Sequence, residues 1–396
     1  MCPTDPDRFF SEQTETSRYK IQVYSKYLVP LAYKILSKRY RRLWIIDAYA
    51  GAGTYLPDAG GARADGSPVA AAKFIRDHNI RNAKARKEVK LINVEADRET
   101  FGRLQESLMG VGPDVTNIHG RFQDELDGIL KRIGTEPAFF FIDPFGMEGA
   151  DLQVIDRILA RRNRTATELL INFSHAGFRR MAGNLEPKNA RSKAAKAAAT
   201  TKVRRLDEIM DTPFWRGAWK DPNLSPDQKF ELVAALYEDR LRSRGVEHVH
   251  GVSMRDRLDG PTVYRLVFAT SSLHGVYLMS DFVCAYEREL LEAKNEGTLF
   301  AGNENAQRAE RRAGLKTEIH AFGLERGTAT PLNVYMHFAS RQFGRWTQTD
   351  FNICLRDLVD ERGIDRPSSK GIKQSEELQF LPLPQLGLLD IGSDRI

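Results

Sequence analysis

The sequence predicts an α/β protein built on a doubly wound, mostly parallel sheet. Four short apolar runs each end on a polar residue: Leu43–Ile46 at Asp47, Val89–Val94 at Glu95, Ala138–Ile142 at Asp143, and Leu169–Phe173 at Ser174. Strands that are apolar throughout, without alternation, are buried on both faces, as in a parallel sheet held between two helical layers. Helical periodicity at Val69–Asp77, Arg98–Leu108 and Leu152–Arg161 separates these runs, so strand and helix alternate along the chain.

In chain order, residues 18–38 come first and set Ile21, Tyr24, Leu28, Leu31 and Ile35 on one face, predicting a leading amphipathic helix. The first strand then opens into Ala48-Tyr49-Ala50-Gly51-Ala52-Gly53, a turn of small residues. Val115–Ile118 supplies a further strand. Beyond the run at 169–173 lies a basic segment, followed by a helix that starts at Ser225-Pro226, serine as cap and proline in the first turn. Val263–Ala269 reads as a strong strand with a helix at Val276–Leu291 behind it. Together they can complete the sheet, which makes residues of about 176–260 an insertion between its strands. Residues 300–310 turn polar and predict a linker. The tail carries helical patterns at Leu332–Arg341 and Asp350–Glu361, a turn at Gly344 and a strand at Leu378–Leu383. The expected division is a main domain over 1–300, with its basic helical insertion, and a winged-helix-like module over 301–396. A chain of 396 residues is longer than the ~250–300 that one core usually serves, in keeping with two parts.

Composition narrows the class. At 41% hydrophobic and 28% charged the chain is an ordinary globular one, and no apolar run approaches the ~20 residues of a membrane span. The first residues, Met-Cys-Pro-Thr-Asp-Pro-Asp, lack the basic and apolar regions of a secretion signal. Cys2, Cys284 and Cys354 are scattered and odd in number, which argues against a disulfide framework and predicts a reducing cytoplasm. The net charge of +6 is unevenly spread: between Arg157 and Arg205 thirteen Lys/Arg face two acids, a local +11. Such a concentration is the electrostatic footprint of a polyanion surface, and nucleic acid is the expected partner. Lys193, Lys196, Arg204 and Arg205, in its alanine-rich second half, are the candidate phosphate contacts.

In open α/β sheets ligands bind beyond the carboxyl ends of the strands, and every candidate site residue falls there. The Asp47–Gly53 turn is neither G-x-G-x-x-G nor a Walker A loop. It offers an acid, Asp47, and small residues, Ala50, Gly51 and Gly53, that let the backbone approach a ligand closely. Glu95, ending the second strand, is of the type that accepts both hydroxyls of a ribose. Asp124, after the third strand, is placed to accept from an adenine amine or to cap the next helix. Turn, ribose acid and adenine acceptor without a phosphate clamp describe S-adenosylmethionine better than a dinucleotide or ATP. The fourth strand delivers Asp143-Pro144-Phe145-Gly146 to the same rim. Asp143 and the Pro144 carbonyl can hold an amine, and Phe145 can stack on a flat ring, so these three are the candidate catalytic residues.

With Asp47–Gly53, Gly66-Ser67-Pro68, Glu95 and Phe141-Ile142-Asp143-Pro144-Phe145-Gly146 in this order, the chain resembles the three-Cys-motif partner proteins, TcmP, over about residues 10–380. The resemblance implies a class I S-adenosylmethionine-dependent methyltransferase fold and a partner protein with three cysteines. It also implies that Asp47, Gly51 and Gly53 surround the methionine part of the cofactor, Glu95 its ribose and Asp124 its adenine. Ser67 either lines that pocket or caps the helix before Val69. Asp143-Pro144 is similar to the start of the Asp-Pro-Pro-Tyr/Phe motif of amino-methylating nucleic-acid methyltransferases, but Phe145 replaces the second proline and Gly146 the aromatic residue. The expected activity is methyl transfer to a nucleic-acid base amine. The altered motif keeps a rival open, a non-catalytic nucleic-acid-binding partner of the three-cysteine protein. His248-Val249-His250 lacks a third ligand, so no metal site is expected. Asn172, Ser174 and His175 fall on the same rim, and Phe214, Trp215 and Trp219 beside the basic segment either stack on bases or form local core.

Overall fold

A computed structural model describes residues 13–37, 40–56, 63–110, 112, 114–186, 192–257, 259–295, 304–366 and 371–383. A seven-stranded sheet organises the main part. Its strands are β1 (Arg42–Asp47), β2 (Glu88–Glu95), β3 (Val115–His119), β4 (Ala138–Ile142), β5 (Thr167–Ser174), β6 (His248–Met254) and β7 (Tyr264–Thr270). They lie in the order β3-β2-β1-β4-β5-β7-β6. All neighbours are parallel except at β7, which runs antiparallel to both β5 and β6.

Helices cover both faces. On one side α1 (Glu15–Ser37), α2 (Ser67–Asn82), α3 (Arg98–Ser107) and α10 (Leu273–Asn295) pack over Ile45, Leu91, Phe139, Phe141 and Leu170. On the other α4 (Phe122–Ile133), α5 (Leu152–Leu159), α7 (Lys193–Met210), α8 (Trp215–Lys220) and α9 (Pro226–Ser243) pack over Ile46, Ile92, Phe140 and Ile171. Phe139, Phe140 and Phe141 are fully buried, successive residues feeding opposite cores, each contributing about 2 kcal/mol by removal from water. Helix α4, anticipated only as the helix that Asp124 could cap, is marked by Phe122, Leu126, Ile129 and Ile133, which repeat at helical spacing and are all buried.

Two expected boundaries need correction. Residues 176–260 are not wholly an insertion: α9 and β6 lie within that range, and β6 pairs along its length with β7. The true excursion is α6 (His175–Ala182), α7 and α8. β6 escaped notice because His-Val-His-Gly-Val-Ser-Met is an edge strand with half-exposed positions, without the apolar run of a central one. Likewise the polar stretch at 300–310 is not a linker throughout, since α11 (Glu304–Arg326) starts inside it.

Beyond α11 follow β8 (Thr328–Ala329), α12 (Pro331–Arg341), α13 (Gln348–Asp360), β9 (Ile364–Asp365) and β10 (Leu378–Phe380). The three short strands form an antiparallel sheet in the order β8-β10-β9. Their core, with Ile319, Phe322, Tyr335, Phe351 and Leu355, is shared with Tyr277 of α10. Among the described residues no helix is long and apolar enough to cross a membrane.

Candidate functional site

Strand register gathers the site on one face. Asp47 pairs with Asn93 on one side and Phe141 on the other, and paired residues share a face. Asp143, two residues past Phe141, and Asn172 of β5 continue the row, and Asn172 Nδ2 donates to Asp143 Oδ1 at 2.6 Å. The face is the one under α1. Tyr24 of α1 stacks on Phe141, with centroids 4.5 Å apart. Lys20, one helical turn earlier, reaches Asp143 Oδ2 at 2.6 Å.

The glycine turn has the geometry its composition calls for. Gly51 and Gly53 take φ of +63° and +84°, the region where a side chain is strained. A Cβ on Gly53 would also stand 2.9 Å from the Ser107 Cβ. The Gly51 amide donates to Glu95 Oε2 at 2.9 Å, and Asp97 N donates to Oε1 at 2.8 Å. The turn and the end of β2 are thus latched together. Burial raises the Glu95 pKa and those amides pull it back. Each Glu95 oxygen keeps a lone pair, so a ribose would share the carboxylate with the backbone.

Asp47 is fully buried, and its Oδ2 has no hydrogen-bond partner among the described residues. Burial lifts its pKa to about 7; the Ser67 hydroxyl and the Tyr49 amide oppose this, while Asp143 and Glu95 add to it. The Tyr24 hydroxyl, also buried and without a partner, feels the Asp47 charge, and burial drives its own pKa well up. Asn93 Oδ1 and Asn172 Oδ1 on the same row are unmatched too. Buried polar atoms are nearly always paired, so a concentration of unmatched acceptors at the strand ends marks a place for a ligand's donors. The residues suit the methionine end of S-adenosylmethionine, whose ammonium needs a buried carboxylate acceptor.

Other candidates fall differently. Ala50 is buried, its amide donating to Val94 O. Ser67 is buried in the first turn of α2, but Gly66 is the cap, so its capping role is withdrawn and its place beside Asp47 stands. Asp124 lies exposed in the first turn of α4, where Arg121 occupies the cap position. The Pro144 carbonyl already accepts from Gly146 N at 2.9 Å, closing a tight turn, so it is not the free acceptor expected for a substrate amine. Asp143 is likewise engaged through both oxygens. Phe145 is 62% exposed at the rim.

The β4 loop is pressed against the start of α6. A Cβ on Gly177 would lie 2.7 Å from the Gly146 backbone, and the Arg180 guanidinium lies beside Gly146. The basic excursion therefore leaves directly from the candidate site. Lys193 and Lys196 are exposed in the first two turns of α7, which bury nothing before Ala199. Arg204 is 74% exposed in its side chain and pairs loosely with Glu208. Arg205 does not fit the phosphate role: it reaches the buried Asp151 carboxylate at 2.8 Å and ties α7 to the start of α5. Trp215 and Trp219 are local core, packed edge-on against Phe178, whereas Phe214 is exposed. Ser174 caps α6, and His175 stacks on Phe230 and bonds Thr262 O, both serving structure. His250 stacks on Phe343, and among the described residues no His, Cys, Asp and Glu group could hold a metal.

Sequence reasoning missed Lys20, Asn93 and the role of the Tyr24 hydroxyl. The available signal for Lys20 was its place four residues before Tyr24, a cation on the buried face of an amphipathic helix.

The strand order, with an antiparallel seventh strand between the fifth and sixth and the site at the carboxyl ends of β1, β2 and β4, defines the class I methyltransferase fold. No family model matches the chain, and no curated protein matches it. Among solved structures it is similar to LPL1258 of Legionella pneumophila, assigned to DUF519, at 11% identity over 66% of this chain and 86% of that one, with a TM-score of 0.39. It is also similar to the O-methyltransferase TomG of Streptomyces achromogenes in complex with SAM, at 15% identity over 63% and 79% of the two chains and a TM-score of 0.31. The SAH-bound methyltransferase PaMTH1 of Podospora anserina is 13% identical over 61% and 75%, with a TM-score of 0.29.

Proposed function

We propose that this chain binds S-adenosylmethionine and transfers its methyl group to a base amine of nucleic acid. The carrying observation is the unmatched Asp47 Oδ2 at the end of β1, just ahead of the Gly51–Gly53 turn and on one face with Asp143. The cofactor supplies an electrophilic methyl group. Asp47, with Tyr24 and Asn93 nearby, would hold its ammonium; Gly51 and Gly53 would admit its backbone-facing atoms, and Glu95 its ribose. Phe145 would stack on the acceptor base, and Asp143 would orient the amine through its remaining lone pairs. The acceptor amine would supply the lone pair for the new bond to that methyl group, and its surplus proton would pass to solvent or to Asp143.

Nucleic acid is favoured by Lys193, Lys196 and Arg204 on the excursion that starts at the rim, with Arg180 beside Gly146. The order helix, strand, two helices, two strands at the C-terminus supports a winged-helix module. The TcmP resemblance adds a three-cysteine protein as partner. Cys284 and Cys354 are buried free thiols, in keeping with a reducing compartment. A second reading has its own support: with Asp143 held on both sides and the Pro144 carbonyl occupied, the protein binds nucleic acid while its partner does the chemistry.

The deciding experiment is calorimetric titration with S-adenosylmethionine, wild type against Glu95→Ala, followed by tritiated-methyl transfer to total RNA and DNA. Micromolar binding weakened in the variant, with incorporation lost in Asp143→Ala, supports the first reading. Binding without incorporation supports the second.

A further inference from the structure

Lys20 is 7% exposed, a costly position for an ammonium. Its ammonium is held by Asp143 Oδ2 at 2.6 Å and stands over the Tyr264 ring, 5.2 Å from the centroid. On the other side Asn172 fixes Oδ1 at 2.6 Å. An apolar side chain of similar length would fill this space without the desolvation cost, so helix packing alone does not account for a lysine here. What the lysine adds is charge. Asp47 and Asp143 end neighbouring strands on the same face and repel each other, and Tyr55 and Tyr264 also feel Asp143. Without Lys20 the rim would carry the Asp143 carboxylate uncompensated beside the sulfonium of a bound cofactor, Asp47 being matched by the cofactor's ammonium.

We infer that Lys20 is a positioning residue that neutralises Asp143 and so limits the pocket's preference for the charged sulfonium cofactor over its neutral thioether product. This rests on the cofactor reading above. Because the methyl acceptor is not needed to see the effect, the assignment is tested by binding alone.

The affinities of S-adenosylmethionine, S-adenosylhomocysteine and sinefungin, which carries an amine in place of the methyl-sulfonium, are measured by calorimetry on five proteins. Lys20→Met should raise the ratio of sulfonium to thioether affinity about tenfold, and sinefungin should gain alongside, since charge at the edge of a low-dielectric pocket is weakly screened. Lys20→Arg should keep the wild-type ratio. Asp143→Asn, which strands the ammonium, should move the ratio the opposite way, and adding Asp143→Asn to Lys20→Met should cancel the rise. The opposite sign of the Asp143→Asn shift keeps the test decisive even where Lys20→Met folds poorly. Ratios that stay at the wild-type value in Lys20→Met and Asp143→Asn, while both ligands bind, would overturn the inference alone. Wild-type protein that binds neither ligand at millimolar concentration would overturn the cofactor reading and this inference with it.

Discussion

At the scale of single residues, Asp47 couples the proposed cofactor binding to stability. Its pKa of about 7 means that the folded apoprotein keeps a proton there which the unfolded chain releases near 3.8. The native state then binds more protons, so the contribution of Asp47 to stability is fullest below 3.8 and is lost as the pH rises towards about 7. At about 1.4 kcal/mol per pH unit, the ionised carboxylate costs the apoprotein about 4 kcal/mol by pH 8. Asp47→Asn should therefore raise the melting temperature at pH 8 while abolishing binding of S-adenosylmethionine. In wild type a bound ammonium stabilises the carboxylate, so affinity should increase from pH 6 to pH 8 with proton release. Calorimetry in buffers of different ionisation heat measures that release; a pH-independent affinity with no proton transferred would count against Asp47 as the ammonium acceptor. Glu168 presents the contrasting case. Its buried carboxyl accepts from Tyr27 at 2.5 Å and Thr270 at 2.9 Å, and burial raises its pKa. Glutamine keeps one acceptor oxygen and its amide can donate to the other hydroxyl, so Glu168→Gln should be tolerated far better than Glu168→Ala, which strands two hydroxyls and should cost about 2–4 kcal/mol in urea unfolding.

At the scale of elements, α6 and α7 connect the rim to the basic surface. Gly177→Ala sets a methyl group 2.7 Å from the Gly146 backbone, and both are main-chain neighbours that cannot swing aside. It should displace the Asp143–Gly146 loop, destabilise by about 1–3 kcal/mol and depress methyl incorporation far more than cofactor affinity. On α7 the basic residues separate into two groups. Lys193→Glu with Lys196→Glu should leave the melting temperature unchanged, because those side chains are exposed, while lowering affinity for single-stranded oligonucleotide and flattening its salt dependence. Arg205→Ala should do the reverse, costing about 1–2 kcal/mol as Asp151 loses its partner, with little change in the salt slope. Equal effects of the two changes on oligonucleotide binding would show that the ion pair opens when ligand arrives.

At the scale of the whole molecule, the C-terminal elements and the sheet domain share α10. Tyr277 enters the C-terminal core, Ser280 Oγ accepts from Gly344 N at 2.9 Å, and Asp281 Oδ1 accepts from Gln348 N at 2.7 Å. A Cβ on Gly344 would meet Val283 at 2.7 Å, so the α12–α13 turn is seated closely on that helix. The chain should unfold in one calorimetric transition, and deletion of 304–396 should yield an aggregating fragment, because Tyr277 and Leu278 lose their cover. Two resolved transitions would mean that the contact is weaker than its packing implies.

Much of this protein was legible along the chain. The apolar runs that became β1, β2, β4 and β5, the polar residues at their ends and the Gly51–Gly53 turn are local patterns, and local patterns survive in sequence because burial on both faces admits few residue types. Edge strand β6 was less legible, since half-exposed positions accept histidine and serine. What tertiary structure alone decided is which charges meet. Asp143, expected to face a substrate amine, also holds Lys20 and Asn172; Arg205 was expected on phosphate and instead holds Asp151. A carboxylate attracts any cation brought near it, so charge carries no address. The address comes from helix phase and strand register, which set Lys20 above β4 and bring Asn172 level with Asp143.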